Sequence, residues 1–239
     1  MQISDRQKTI LDTIIREYVD SAKPVSSQYL GERYDFGICP ASIRIEMQKL
    51  TDDGFLTQPH TSAGRVPTDK GYRLFVNEVL KSDQEQAPSG KLDFGFDGFD
   101  KDFEDFFKTA NSIAHSLAAA SSLLVLGYLR QEDLMFKEGW EDLLQNPEFC
   151  ERKSVENFIG YLGYLENSVK EHRPMEEKLD IYIGRENQFP KAEEFSAITF
   201  ICHPSHEAET VFSIVGPKRM AYDKNIGLIN EAIKLFNEL

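Results

Sequence analysis

The sequence predicts an α+β fold in two parts, a small helical N-terminal part with one β-hairpin and a larger C-terminal part with an antiparallel sheet. Two observations predict it. Apolar residues recur at helical spacing along the first 81 residues. Beyond them, short strand-like runs alternate with amphipathic segments. Strands joined by short turns and flanked by segregated helices are typical of α+β domains.

The first helix is predicted from its two ends. Ser4 and Gln7 form a capping-box pattern, and Pro24 ends the helix by removing a backbone donor. Ser26 or Ser27 then caps a second, short helix.

A third helix begins at Pro40, because proline suits the first helical turn. A short strand at Phe55–Thr57, a polar loop and a return strand at Arg65–Val66 follow. Thr68 caps a fourth helix. Three helices, a hairpin and a final helix are the parts of a winged helix-turn-helix. We therefore predict a DNA-binding domain over residues 1–81.

A polar, Pro- and Gly-containing stretch over residues 82–98 is predicted to be a linker. The second domain then covers residues 99–239. Its first helix carries a regular apolar stripe, formed by Phe99, Phe103, Phe106, Ala110, Ile113 and Leu117. This spacing favours a helix that faces the core of its own domain. The alternative is a dimer seam, because the same spacing also makes coiled-coil contacts.

The rest of the second domain alternates between strands and helices. Strands are predicted at Leu123–Leu129, Leu179–Ile183, Ser196–Cys202 and Val211–Val215. Helices are predicted near Asp133–Leu144, Glu151–Glu171 and Lys224–Leu239.

Charge is divided unequally between the two parts. The 239 residues carry a net charge of −13, yet the first 82 contain eleven basic and eleven acidic residues. All the excess acid therefore lies in the second part, which would repel phosphate and orient a neutral first part toward it. Three widely spaced cysteines, no signal-peptide pattern and no apolar run of about 20 residues predict a cytoplasmic protein away from membranes.

The third helix carries the candidate base contacts. With Ile43, Met47 and Leu50 inward, the outward positions near its start are those that a recognition helix offers to the major groove. The candidate DNA-binding residues on this helix are Ser42, Arg44, Ile45, Gln48 and Lys49. Arginine suits guanine and glutamine suits adenine. The alternative is a small helical domain with a solvated face.

The hairpin loop extends this candidate site. It is small and flexible, and it is predicted to lie along the DNA backbone with a donor-rich arginine at its tip. The candidates here are His60, Thr61, Ser62 and Arg65. Lys70 and Arg73 lie near the next helix N-terminus, which favours phosphate. Surface salt bridges are the alternative role for these cations.

Seven segments resemble the HrcA family of heat-inducible repressors: Ser4–Gln7, Ala22–Ser27, Ala41–Arg44 with Glu46 and Met47, Gln58–Arg73, Asn146–Phe149, Ile183–Asn187 and Ile214–Tyr222. The resemblance implies a homodimer that binds a double-stranded inverted-repeat operator upstream of chaperone genes and represses them. It implies a GAF-like second domain interrupted by an inserted dimerisation subdomain, and a chaperonin as a partner that keeps the repressor active. It implies neither an enzyme nor a cofactor.

The chain departs from that family in three places. Ile45 stands where Asn is usual, and Lys218 and Ala221 stand where Thr and Asp are usual. The strand Leu123–Leu129 passes almost directly into the next segment, which leaves no room for the inserted subdomain. The stripe from Phe99 to Leu117 is our candidate replacement for dimerisation.

The alternative function is a ligand- or metal-sensing winged-helix regulator of a different set of genes. Its metal version rests on Cys202, His203 and His206, which include soft and borderline ligands but lie in a turn after a strand. A plain loop is the simpler interpretation, so no metal site is predicted. Cys39, beside the third helix, is expected to be packed. No catalytic constellation stands out.

Overall fold

The computed structural model divides the chain into two compact units, Met1–Ser82 and Asp83–Leu239. The residues that it describes are 3–82, 103–171, 179–205 and 208–238. Residues 83–98 of the predicted linker lie outside them.

The first unit consists of four helices and one short hairpin. Its elements are α1 (Asp5–Ser21), α2 (Ser27–Arg33), α3 (Pro40–Asp52), β1 (Leu56–Thr57), β2 (Val66–Pro67) and α4 (Asp69–Ser82). The capping box at the start of α1 is confirmed, since Ser4 Oγ accepts from Gln7 N at 3.3 Å and Gln7 Oε1 accepts from Ser4 N at 2.9 Å. Ser26 is the N-cap of α2.

The core of the first unit lies between α1, α3 and α4. Its buried side chains include Ile10, Ile14, Ile43, Leu50 and Tyr72. A close approach joins α4 to the hairpin, because a Cβ on Gly71 would lie 2.3 Å from the carbonyl oxygen of Phe55. A side chain at that position would push the fourth helix off the hairpin.

The second unit is an α+β domain around one five-stranded sheet. Its elements are α5 (Phe103–Ser121), β3 (Leu124–Leu129), β4 (Leu134–Glu138), α6 (Trp140–Leu143), a 3₁₀ turn at Pro147–Cys150, α7 (Arg152–Glu171), β5 (Leu179–Ile183), a 3₁₀ turn at Gly184–Glu186, β6 (Phe195–Ser205), β7 (Ala208–Pro217) and α8 (Tyr222–Glu238). The strands pair antiparallel throughout, in the order β4-β3-β7-β6-β5. The predicted antiparallel sheet is confirmed, and the architecture is consistent with a GAF-like domain.

Helices cover both faces of this sheet. The ring of Phe136 in β4 packs edge-on against Phe107 of α5, with ring centroids 5.6 Å apart. The next residue, Lys137, therefore points to the opposite face, because side chains alternate along a strand. It forms an ion pair with Glu166 of α7 at 2.8 Å. Helix α5 thus lies on one face and α7 on the other.

The segment Asp133–Leu144, predicted as a helix, is instead β4 followed by the short α6. Asp133 turns the chain at φ 47°, and Gly139 breaks it again at φ 95°. Between these turns, the ring of Phe136 fills the space above Gly127 of β3, where a Cβ would meet it at 2.2 Å. Pairing with β3 makes the first part of this segment a strand, and that pairing cannot be predicted from the local sequence.

The apolar stripe of α5 faces the core of its own unit. Ala110, Ile113 and Leu117 are fully buried, while Phe106 is half-buried. The burial of Ile113 and Leu117 favours the core-facing interpretation, since neither has exposed surface with which to contact a second copy. Phe99 lies outside the described residues, as does the side chain of Phe103.

Candidate nucleic-acid interface

Helix α3 presents a continuous outward face. Ile43, Met47 and Leu50 are buried, as their spacing predicts. On the opposite side Arg44, Ile45, Gln48 and Lys49 are exposed, and Ser42 is half-buried. Ile45 is 57% exposed, which makes it an aliphatic side chain in the middle of an otherwise polar surface.

The hairpin loop is exposed at its tip and pinned at its base. His60, Thr61 and Ser62 are exposed. Gln58 Nε2 donates to the carbonyl oxygens of Thr61 at 3.0 Å and Ala63 at 2.8 Å, which holds the loop in one shape. The loop is the part of the hairpin that is free to touch another molecule.

A backbone bridge fixes the base of the hairpin to the α1–α2 connection. Val25 N donates to Arg65 O at 2.9 Å, and Arg65 N donates to Val25 O at 2.8 Å. Gly64 lies so close that a Cβ there would sit 2.3 Å from the Val25 oxygen. Only glycine fits at this position.

Arg65 lies at the base of the hairpin and not at its tip, where the sequence placed it. Its Nε donates to Thr51 Oγ1 at 3.0 Å, and its Nη2 donates to Gln48 Oε1 at 2.9 Å. The same amide donates from Nε2 to Asp52 Oδ1 at 2.8 Å. The arginine therefore ties the hairpin to the C-terminal half of α3 and fixes the orientation of Gln48. Sequence reasoning missed Thr51 and Asp52, which carry no motif.

The remaining cationic side chains differ in how many contacts they already make within the protein. Lys70 Nζ donates to Asp53 O at 2.7 Å and lies 4.3 Å from the ring centroid of Phe55. Lys49 pairs with Glu46 at 2.9 Å, which holds the pKa of the Glu46 carboxyl below its ordinary value. Arg73 is half-buried.

Arg44 contrasts with these cations. Its guanidinium is exposed, and it has no hydrogen-bond or ion-pair partner within the described part of the chain. It is therefore the candidate contact on α3 whose donors are all available to an incoming molecule.

Cys39 is exposed, which contradicts the expectation that it is packed. It is the N-cap of α3, with its Sγ 3.4 Å from Ser42 Oγ. The hydrogen bonds from the side chain and backbone of Ser42 lower the pKa of the Cys39 thiol.

The Cys202 and His203 pair does not converge on a metal. Cys202 is buried, and desolvation raises the pKa of its thiol to about 12, whereas His203 is exposed. His206 lies outside the described residues. Among the residues that are described, no cluster of three His, Cys, Asp or Glu side chains is arranged to hold a metal ion.

A cleft of about 80 Å³ lies in the second unit between α7 and the sheet. Its lining includes Tyr164, Tyr182 and Thr199. The hydroxyls of Thr199 and Ser213 lie 2.8 Å apart on the sheet face that forms its floor. A mixed polar and aromatic lining of this kind suits a small organic molecule.

No described helix is long and apolar enough to cross a membrane.

Comparison with known proteins matches residues 97–226 to the family model described as HrcA protein C terminal domain. A heat-inducible transcription repressor HrcA of Natranaerobius thermophilus is 54% identical over 80 residues, which span 34% of this chain and 23% of that relative. A second, from Caldanaerobacter subterraneus subsp. tengcongensis, is 25% identical over an alignment that covers all of this chain and 96% of the relative.

One solved structure, described as a hypothetical protein, superposes with a TM-score of 0.80. The match covers 99% of this chain and 98% of the chain in that structure. At 21% identity it supports the fold alone.

Together, the family model that matches the second unit and the relatives named as repressors define a protein of the transcription-repressor class. More than half of the chain matches that model, and the Caldanaerobacter relative aligns from end to end. The chain therefore belongs to the HrcA family of heat-inducible transcription repressors.

Part of the Caldanaerobacter relative has no counterpart in this chain. The alignment runs over 337 positions, whereas the chain has 239 residues, which leaves 98 positions unmatched. In the structure, β3 passes to β4 through only the four residues 130–133. No inserted subdomain exists at that point.

Proposed function

We propose that this chain is a sequence-specific DNA-binding repressor of heat-shock (chaperone) genes, and that it binds an inverted-repeat operator as a dimer. Residues 1–81 act as a winged helix-turn-helix, with α2 and α3 as the helix pair and the β1–β2 hairpin as the wing. Residues 82–98 serve as a linker and residues 99–239 as the regulatory domain. The proposal is a binding function and involves no catalysis.

The observation that carries this proposal is the surface shared by α3 and the wing. Arg44 and Ile45 are exposed on α3, and the loop at His60–Ser62 is exposed on the wing. Arg65 joins these two elements through Gln48 and Thr51. A helix with free donors beside a pinned loop can enter a major groove while the loop follows the adjacent backbone.

The candidate contacts then divide into four roles. Arg44 and Ile45 face base edges, with Ser42 beside them. His60, Thr61 and Ser62 contact sugar and phosphate, because they are small, polar and exposed. The cations at the margins approach phosphates; they are Lys49, Lys70 and Arg73. Gln48 and Arg65 hold α3 and the wing together. They contact DNA only through those of their donors and acceptors that are not used in these internal hydrogen bonds.

Dimerisation follows from the proposed operator, because an inverted repeat presents two equivalent half-sites to a two-fold symmetric protein. Of the stripe on α5, Phe103 and Phe106 remain as candidates, with Phe99 beyond the described residues. Phe106 is half-buried and so retains surface for a partner. Phe106→Asp should shift the sedimentation coefficient to that of a monomer. A dimer left intact would remove α5 from the interface.

Operator binding is tested by selecting duplexes from a random library with the full chain. Fluorescence anisotropy on the selected duplex and on a scrambled duplex, each over a salt series, then measures specificity. We expect an inverted repeat bound at least about 1,000-fold more tightly than the scrambled sequence, which is the lower range for specific DNA-binding proteins. Equal binding to both duplexes would contradict the proposal.

Two regulators are tested in the same assay. The relatives are named as heat-inducible, and the resemblance implies control by a chaperonin, so purified chaperonin should strengthen operator binding. A second candidate function, ligand sensing, is favoured by the cleft beneath α7. Tyr182→Ala and Thr199→Ala should alter the response to a metabolite extract without changing basal operator affinity. An unchanged response in both variants would exclude the cleft as the sensor.

A further inference from the structure

The outward face of α3 carries one large exposed aliphatic side chain, that of Ile45. It is 57% exposed and has polar neighbours one turn away in both directions. An isolated apolar residue on a surface is ordinary, so exposure alone implies nothing. Its position at the centre of the proposed DNA-binding face is what makes it informative.

The neighbours of Ile45 toward the end of α3 already satisfy one another. The Gln48 amide accepts from Arg65 and donates to Asp52. The ammonium of Lys49 donates to Glu46. The proposed base reading beside Ile45 therefore depends on Arg44, with Ser42 beside it, and on the apolar surface of the isoleucine itself.

The major groove offers an aliphatic side chain one favourable partner. Thymine carries a 5-methyl group there, whereas cytosine and adenine present an amino donor and guanine presents two acceptors. Covering any of those polar groups with isoleucine would leave a hydrogen-bonding atom desolvated and without a partner, which is unfavourable. Covering a methyl group removes apolar surface from water on both sides, which is favourable.

We propose that Ile45 is a specificity-determining residue that contacts the 5-methyl group of a thymine in each operator half-site. This inference rests on the proposed operator binding and deepens it. The contact selects thymine over cytosine through a single methyl group, and it selects against purines through desolvation.

The test removes or restores that methyl group without altering the protein. In the selected duplex, each thymine of a half-site is replaced in turn by deoxyuridine. In a parallel series, the same position carries cytosine or 5-methylcytosine. At one position, loss of the methyl should weaken binding about four-fold per half-site and roughly 15-fold when both half-sites are changed, as expected for one buried carbon group. The methyl on cytosine should restore a similar factor.

Two protein variants test whether the side chain of Ile45 causes the methyl dependence of binding. Ile45→Ala should bind thymine and deoxyuridine duplexes equally at that position. Ile159→Ala is the matched control, because Ile159 on α7 is also 57% exposed and lies in the other unit. It should keep the four-fold preference. Equal circular dichroism spectra and unfolding midpoints for both variants establish that each is folded.

The outcomes separate the two proposals. A selected operator with one methyl-sensitive position that Ile45→Ala abolishes supports the thymine contact. A selected operator that is insensitive to every deoxyuridine substitution overturns that contact and leaves operator binding standing. Failure to select any sequence overturns operator binding itself.

Discussion

The two halves of the α3 surface are built differently. In the N-terminal half, Arg44 and Ile45 have no polar partners within the described part of the chain. In the C-terminal half, Gln48, Thr51 and Asp52 join Arg65 in one hydrogen-bonded group. The first half is available to a ligand, whereas the second holds the hairpin against the helix. Substitutions should therefore affect binding alone in one half, and stability as well as binding in the other.

The largest expected effect is that of Arg44→Ala. If Arg44 makes the bidentate contact with guanine that its free guanidinium would allow, its removal should cost about 1–3 kcal/mol of operator binding and relax specificity at one base pair. The free energy of unfolding should change by less than about 0.5 kcal/mol, because the side chain is exposed. Anisotropy and urea unfolding measure the two quantities. A loss of stability larger than the loss of affinity would show that Arg44 supports the fold, as the residues in the C-terminal half of α3 do, and would contradict this prediction.

Arg65→Ala should show the opposite pattern. It removes two charge-assisted hydrogen bonds from a half-buried group, so the first unit should lose about 1–2 kcal/mol of stability. Operator affinity falls with it, since the wing is no longer fixed. Arg65→Lys is the matched control. It keeps the positive charge, but a lysine ammonium cannot donate to Thr51 and Gln48 in the same geometry as the guanidinium, so it separates the effect of the hydrogen bonds from that of the charge. Unchanged stability in both variants would contradict the bracing role.

Lys70→Met tests a residue at the margin of the candidate site that is expected to contribute to both stability and binding. The methionine keeps a side chain of similar length beside Phe55, but it loses the ammonium that lies over the Phe55 ring and donates to Asp53 O. We expect a loss of about 0.5–1 kcal/mol in stability. Binding to every duplex should weaken about equally, with a smaller salt dependence. A change in base preference would show that Lys70 reads sequence.

Glu46→Gln is expected to have the smallest effect, and it depends on pH. Lys49 lowers the pKa of the Glu46 carboxyl from its ordinary 4.5, so the charged form is favoured in the folded state. The resulting stability, about 0.3–0.5 kcal/mol for a surface pair, is present above pH 4.5 and is lost as the pH falls through the folded pKa. The glutamine variant should lack this acid-dependent part in thermal unfolding. An unchanged pH profile would mean that the pair contributes nothing.

Local chemistry was sufficient for much of the fold. Ser4 with Gln7 marked the start of α1, Pro40 marked the start of α3, and the run Leu179–Ile183 was predicted as β5 to the residue. These signals lie within a few residues of the feature they specify. The inward face of α3 was likewise visible in its 3.6-residue period.

Contacts between distant residues could not be predicted in the same way. Asp133–Leu144 has a helix-compatible sequence, and only its pairing with β3 makes the first part a strand. Arg65 was expected at the tip of the wing because its partners, 14 and 17 residues earlier in the chain, carry no motif. The candidate site was therefore predicted as a set of residues, while the division between contacting and bracing residues required the structure.

The bridge between Val25 and Arg65 has a thermodynamic consequence. Fixing one backbone residue costs about 1–2 kcal/mol of conformational entropy, and a free wing would lose that freedom at every residue when it met DNA. Here the base of the wing is already ordered by two backbone hydrogen bonds and a glycine that admits no side chain. The entropy of these base residues is lost during folding. In the proposed complex with DNA, a larger share of each contact made by the loop would therefore be retained as affinity.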